Sequence, residues 1–165
     1  MAVDLGIPVD RARIRAMREL GLWGDRLITD CLADVVKSTP DKIAIIERRS
    51  QASHPRRFTY ADLDRASTRI ALGLAAEGVT TGDVVAMQLP NWFEAAAIAF
   101  GCWKIGAIVN PLMPIFRRRE LAYMLAFAET KTLIVAKSFR GFDHAELALE
   151  LQSELPALDN VHIVG

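Results

Sequence analysis

The residues best suited to chemistry here are clustered cations. Arg117, Arg118 and Arg119 stand consecutively, and Arg48, Arg49, Arg56 and Arg57 flank a polar stretch. Guanidinium groups in such runs can hold phosphate or carboxylate through paired hydrogen bonds. The first run opens a predicted helix, where cations oppose the helix dipole. A solvated basic face near acidic neighbours is therefore favoured over a nucleotide site. The second is read as a mobile, solvated hairpin loop. Nucleic-acid binding would need a basic surplus and interleaved aromatics, but Lys+Arg and Asp+Glu both number 20, so nucleic acid is excluded as a partner.

His54, His144 and His162 are scattered, with no evident partner for general-base or metal chemistry. His54 is expected to be exposed. Cys31 and Cys102 lie far apart in predicted helices, without a C-x-x-C or a Cys/His cluster. They are read as two buried reduced thiols, which suits a cytoplasmic setting. Trp92, Phe93, Phe100 and Trp103 could line an acyl pocket, but at helical spacing they are read as core. Neither G-x-G-x-x-G nor G-x-x-x-x-G-K-[ST] occurs. No catalytic, cofactor-binding or metal-ligating residue is assigned on this basis.

The elements that would position such groups alternate in type. A chain of 165 residues that is 52% hydrophobic is about one domain in size and can bury a substantial core. The segment from Val9 to Leu20 reads as an amphipathic helix with Ile14 and Met17 inward. A second helix is expected from Thr29 or Asp30, a good capping pair, ending before Pro40. Lys42 to Glu47 and Arg57 to Tyr60 read as the arms of a hairpin. Thr59 and Asp62 have the spacing of a capping box for a helix that Gly78 stops. Val84 to Leu89 reads as a strand, and Asn91 with Glu94 as a second capping box. After that helix, Ala107 to Val109 and Thr132 to Ala136 read as buried strands around a helix from Arg118 to Ala128. A last helix near His144 to Gln152 precedes a strand from Val161 to Val164. Unbroken apolar strands separated by helices predict an open, doubly wound, mostly parallel α/β sheet with helices on both faces, plus an N-terminal hairpin. The apolar stretch from Ala95 to Met113 carries Lys104 and Asn110 and is read as helix plus strand, not as a membrane span. The first residues lack a secretory core and contain Asp4 and Asp10.

The motifs along this framework resemble those of the acyl-adenylating superfamily. Thr59-Tyr60 with Asp62-Leu63 is similar to its T-Y-x-E-L signature, and Gly82-Asp83-Val84-Val85 to its G-D-x-V turn. Pro90-Asn91 with Glu94 is similar to its P-N-x-x-E helix start, Gly106-Ala107 with Pro111 and Pro114 to its G-A-x-x-x-P segment, and Glu120-Leu121 to the following helix start. In register, these resemble most the acid–CoA ligase branch. The resemblance implies residues 1–28 as an N-terminal extension and 29–165 as the incomplete amino-terminal part of an AMP-binding domain. It implies an enzyme in which a carboxylic acid attacks the α-phosphate of ATP, giving an acyl-adenylate and pyrophosphate. The thiol of coenzyme A then takes the acyl group and releases AMP. ATP, Mg²⁺ and coenzyme A are implied for the full-length enzyme, with fatty acid metabolism as one setting, and none of them for this chain. The family's Ser/Thr/Gly-rich phosphate loop ending in Lys has no counterpart here. The chain is therefore expected to be an inactive fragment with an exposed sheet edge, whose partner is the remainder of the ligase. The alternative is a non-catalytic interaction or regulatory module derived from a ligase.

Overall fold

The computed structural model describes residues 10–49 and 53–165. The expected helix start at Val9, Asp4, and part of the hairpin loop lie outside that range. The first helix, α1 (Arg11–Glu19), is capped by Asp10, whose Oδ1 accepts from the amides of Ala12 and Arg13 at 3.0 Å. Ile14 and Met17 are its half-buried residues. Helix α2 (Ile28–Ser38) begins one or two residues before the expected Thr29 or Asp30. Asp30 is not the cap: its carboxylate reaches back to accept from the Leu27 amide at 2.8 Å. A carboxylate in the first turn satisfies an orphan donor from either direction, so composition alone leaves the register of the start open.

Strands β1 (Ile43–Glu47) and β2 (Arg56–Thr59) form the antiparallel hairpin. Helix α3 (Tyr60–Ala76) follows directly. Its capping box is complete, with Thr59 Oγ1 accepting from the Asp62 amide at 3.1 Å and Asp62 Oδ2 accepting from the Thr59 amide at 2.9 Å. Gly78 takes φ +83°, which ends the helix as expected. Strand β3 (Val84–Gln88), helix α4 (Phe93–Lys104), strand β4 (Ile108–Pro111), helix α5 (Arg118–Phe127) and strand β5 (Thr132–Ala136) then alternate. A miniature hairpin, β6 (Ser138–Phe139) and β7 (Phe142–Asp143), comes next, then helix α6 (His144–Glu154) and strand β8 (Asn160–Val164). The miniature hairpin has no counterpart in the sequence reading. Its turn places Arg140 at φ 51° and Gly141 at φ 77°, the doubly positive pair that a two-residue hairpin turn requires.

The main sheet runs β4-β3-β5-β8, all parallel. It is doubly wound. Alternate residues of β5 feed opposite layers: Ile134 and Ala136 pack with Leu74 of α3 and Ile98 and Cys102 of α4, whereas Leu133 and Val135 pack with Leu121 and Leu125 of α5 and Leu147 and Leu151 of α6. All five β5 residues are buried, as the unbroken run predicts. Strand β4 corrects its own reading. It lies at the border of the sheet, so Ile108 is exposed and Val109 only half-buried. A third cluster, Leu32, Leu63, Phe93 and Ala97 with Ile45 and Phe58, ties α2 and the N-terminal hairpin to the outer side of α3 and α4. There the Phe58 and Phe93 rings stack 3.8 Å apart.

Helices α3 and α4 approach closely at Gly101. A Cβ placed on Gly101 would lie 2.8 Å from Ile70 Cγ2 and 3.0 Å from the Ser67 carbonyl oxygen. Gly73, also helical, would have no atom within 4 Å of such a Cβ. Gly73→Ala is therefore expected to raise stability by about 0.5–1 kcal/mol, the ordinary gain from removing a helix-interior glycine. A urea midpoint unchanged or lowered would contradict the openness of that site.

Candidate functional site

The N-terminal arginines are not a free basic loop. The Glu47 side chain, at the end of β1, is 1% exposed. It receives Arg49 Nε at 3.1 Å and Arg56 Nη1 at 3.2 Å. Arg49 continues to Glu94 at 2.8 Å and lies 4.2 Å above the Trp92 ring. Glu47 Oε1 also accepts from the Phe93 amide at 2.9 Å, so a carboxylate distant in sequence caps α4. Asn91 does not, and the capping box expected from Asn91 and Glu94 is absent: Trp92 occupies the cap position, and Glu94 is spent on Arg49. Burial pushes the Glu47 carboxyl up, but the Phe93 amide and Arg49 and Arg56 outweigh it and hold the carboxyl below its ordinary value. Arg48, Arg57 and His54 are exposed.

Arg117–Arg119 follow the solvated reading. Arg118 pairs with Glu150 at 2.7 Å and with Glu154. Arg117 Nη1 donates to the carbonyls of Pro114 and Phe116 at 2.8 and 2.9 Å, and its guanidinium lies 4.0 Å above the Phe142 ring. Arg118 is thus neutralised by two acids of α6. Of the aromatic set, Phe93 is buried, Trp92 and Phe100 are half-buried, and Trp103 is exposed. Phe93 and Phe100 pack on the hairpin side of α4, whereas Trp92 packs against the sheet-side cluster and edge-on to Phe139.

A doubly wound sheet takes its ligand outside the carboxyl ends of the strands, where the winding reverses. In the order β4-β3-β5-β8 that point lies between β3 and β5, and here the chain's own side chains fill it. Gln88, the last residue of β3, is 1% exposed. Its Nε2 donates to the carbonyls of Met113 at 2.9 Å and Phe116 at 3.1 Å, and its Oε1 faces His144 Nδ1 at 2.9 Å. His144 had no evident partner in the sequence, and the bond to Gln88, distant along the chain, corrects that reading. His162 likewise has one: its Nε2 lies 2.8 Å from Glu77 Oε2.

The cysteines divide. Cys102 is buried, and burial pushes its thiol up to about 12, which removes it as a nucleophile at neutral pH. Cys31 is exposed, contrary to expectation; it sits on the solvent side of α2, and its neighbour Leu32 is the residue turned inward. An apolar cleft of about 260 Å³ runs between α3 and β8, lined by Ile70, Leu74, Ile98, Ile134 and Val164, with the Glu77–His162 pair at its rim. Among the described residues no group of three or more His, Cys, Asp or Glu side chains could hold a metal ion. No described helix is long and apolar enough to cross a membrane. Of the clustered arginines, Arg49, Arg56, Arg117 and Arg118 are engaged by carboxylates, carbonyls or ring faces.

Comparison with known proteins gives a consistent result. The medium-chain fatty-acid–CoA ligase of Escherichia coli is 36% identical over 149 residues, covering 90% of this chain and 25% of the ligase. The salicyl-AMP ligase / salicyl-S-ArCP synthetase of Mycobacterium tuberculosis is 34% identical over 158 residues, covering 96% of this chain and 27% of that protein. Among solved structures, apo MbtA of Mycobacterium smegmatis superposes with a TM-score of 0.81 at 35% identity, over 96% of this chain and 28% of that one. The chain therefore spans about a quarter of the length of the relatives it matches. The profile of the AMP-binding enzyme family matches residues 32–165. With that match across most of its length and the same fold in MbtA, the chain belongs to the AMP-binding enzyme family.

Proposed function

We propose that this chain is the amino-terminal scaffold of a cytoplasmic AMP-forming carboxylic acid–CoA ligase. Residues 1–28 are read as an extension, and the AMP-binding domain as starting at residue 29. The full-length enzyme would use ATP, Mg²⁺ and coenzyme A on a fatty or aryl acid, and the names of the relatives span both acid types. The observation that carries the scaffold reading is the filled crevice. Joining a carboxylate to the α-phosphate of ATP brings two anions together and needs free cations and amide donors aimed at them. Here Gln88 and His144 occupy the crevice, and Arg49, Arg56 and Arg118 are bound to carboxylates. Adenylation is thus assigned to segments of the family other than these residues.

Titration of the 165-residue chain with MgATP in a calorimeter tests this. The expected result is no saturable heat and no pyrophosphate release with a medium-chain or aryl acid. A saturable micromolar site with one ATP per chain would overturn the proposal.

A further inference from the structure

The bond between Gln88 and His144 has a consequence that adenylation does not use. Gln88 Nε2 spends both its hydrogens on Met113 and Phe116. The opposite amide orientation would set Oε1 against two carbonyl oxygens. Oε1 therefore accepts, and His144 carries its proton on Nδ1. That leaves Nε2 as a bare lone pair. The residue is 1% exposed, and Nε2 has no hydrogen-bond partner among the described residues.

A proton arriving at Nε2 would create a buried cation whose new N–H meets no acceptor, an arrangement that costs free energy until the ring reaches water. The charged groups around it are few. Arg117, from the loop before α5, is held over Phe142, whose ring meets the His144 ring edge-on at 5.0 Å, and it repels a cation. Asp143, the cap of α6, attracts one, but its Oδ1 is engaged by the Glu146 amide at 2.9 Å. Lys137, beyond β5, turns its side chain to solvent and contributes only its carbonyl, which accepts from the His144 amide at 3.2 Å. Burial first, then Arg117, set the imidazole below its ordinary value of 6.5, against a smaller pull from Asp143.

The same few bonds hold three segments together: the end of β3, the Met113–Phe116 loop and the β6–β7 hairpin leading into α6. We infer that His144 is a proton-operated latch on the crevice between β3 and β5: neutral, it keeps the crevice filled, and protonated, it releases the loop and the hairpin while the α3–α4 side stays closed. The sign follows from linkage. The open state binds the proton with an ordinary affinity and the closed state more weakly. Opening is therefore rare above pH 6.5 and grows by up to about tenfold per pH unit below it, until the closed-state value is passed.

The test is imidazole titration of the 165-residue chain by NMR, with amide exchange, corrected for intrinsic rates, from pH 7.5 to about 4.5. The expected result is a His144 midpoint below 6.5, with protection falling alongside it at the amides of Leu112, Phe116 and Ala145, bonded to Met87, Met113 and Lys137 respectively. The amides of Val79 and Ala107, bonded to Leu74 and Cys102, should keep theirs. Arg117→Gln should move the midpoint upward, toward 6.5, and shrink the acid-driven rise in opening, because the closed state then binds the proton less weakly. His144→Gln should abolish the acid dependence at the corner; where that variant does not fold, Arg117→Gln still decides. Protection lost together on both faces, a corner that stays protected while His144 titrates, or a midpoint unmoved by Arg117→Gln would overturn the latch.

Discussion

Replacing Glu47 by alanine is expected to lower the unfolding free energy by about 3 kcal/mol. The truncation strands two arginines and the Phe93 amide at once, because one carboxylate serves all three. Removing a buried partner typically costs about 3–5 kcal/mol. The lower end applies because Arg49 and Arg56 are 30% and 49% exposed and can rehydrate. Glu47→Gln retains an oxygen for the Phe93 amide and loses only the ion pairs, so it should cost about 1 kcal/mol. Asn91→Ala should fall within about 0.5 kcal/mol of the parent, in the range of surface changes. Urea unfolding of the three variants checks the order. Should Asn91→Ala prove as damaging as Glu47→Ala, the cap would belong to Asn91 after all. The pH dependence has a definite sign. Because the folded-state carboxyl lies below its ordinary value of 4.5, this contribution is fully present above that pH and is lost as pH falls through the folded-state value.

The second large effect is expected at Gly101. Alanine there gains about 1 kcal/mol of helix propensity, yet its Cβ would fall 2.8–3.0 Å from Ile70 and from the Ser67 carbonyl oxygen. Ser67 is fully buried, and its carbonyl belongs to helix backbone, so neither neighbour can step aside cheaply. Overpacking of this kind costs about 1–3 kcal/mol, and the separation of α3 from α4 also disturbs the layer against β3. The expected net change is about 2 kcal/mol of destabilisation, opposite in sign to the same substitution at Gly73. Thermal or urea melts that place Gly101→Ala at or above the parent would show that the two helices have slack between them.

The framework was readable because its signals are local. The β5 run Thr132–Ala136 matches its expected limits, and the Thr59–Asp62 box closes as its spacing predicts. Such features need only neighbours within a turn or a pleat. The site-level arrangement depends on partners far apart along the chain. Glu47 meets the Phe93 amide, and Gln88 meets His144, only after the sheet and its helices have assembled. Nothing in the spacing of Arg49 and Arg56 shows that a single buried acid absorbs both. The β6–β7 hairpin went unseen for a different reason. Two-residue strands carry no periodicity, and the one available signal was Gly141 between two phenylalanines.

The two borders of the main sheet are chemically unequal. The amides of Ile108, at the start of β4, and of Leu112, just past its end, donate inward, to Asp83 and Met87, so by alternation those of Val109 and Pro111 face outward, and proline has none to offer. In β8 the amide of Asn160 donates inward to Lys131, which turns the amides of Val161 and Ile163 outward, both intact. Recruitment of an additional strand is thereby one-directional: a newcomer finds a continuous ladder of donors beside β8 and an interrupted one beside β4.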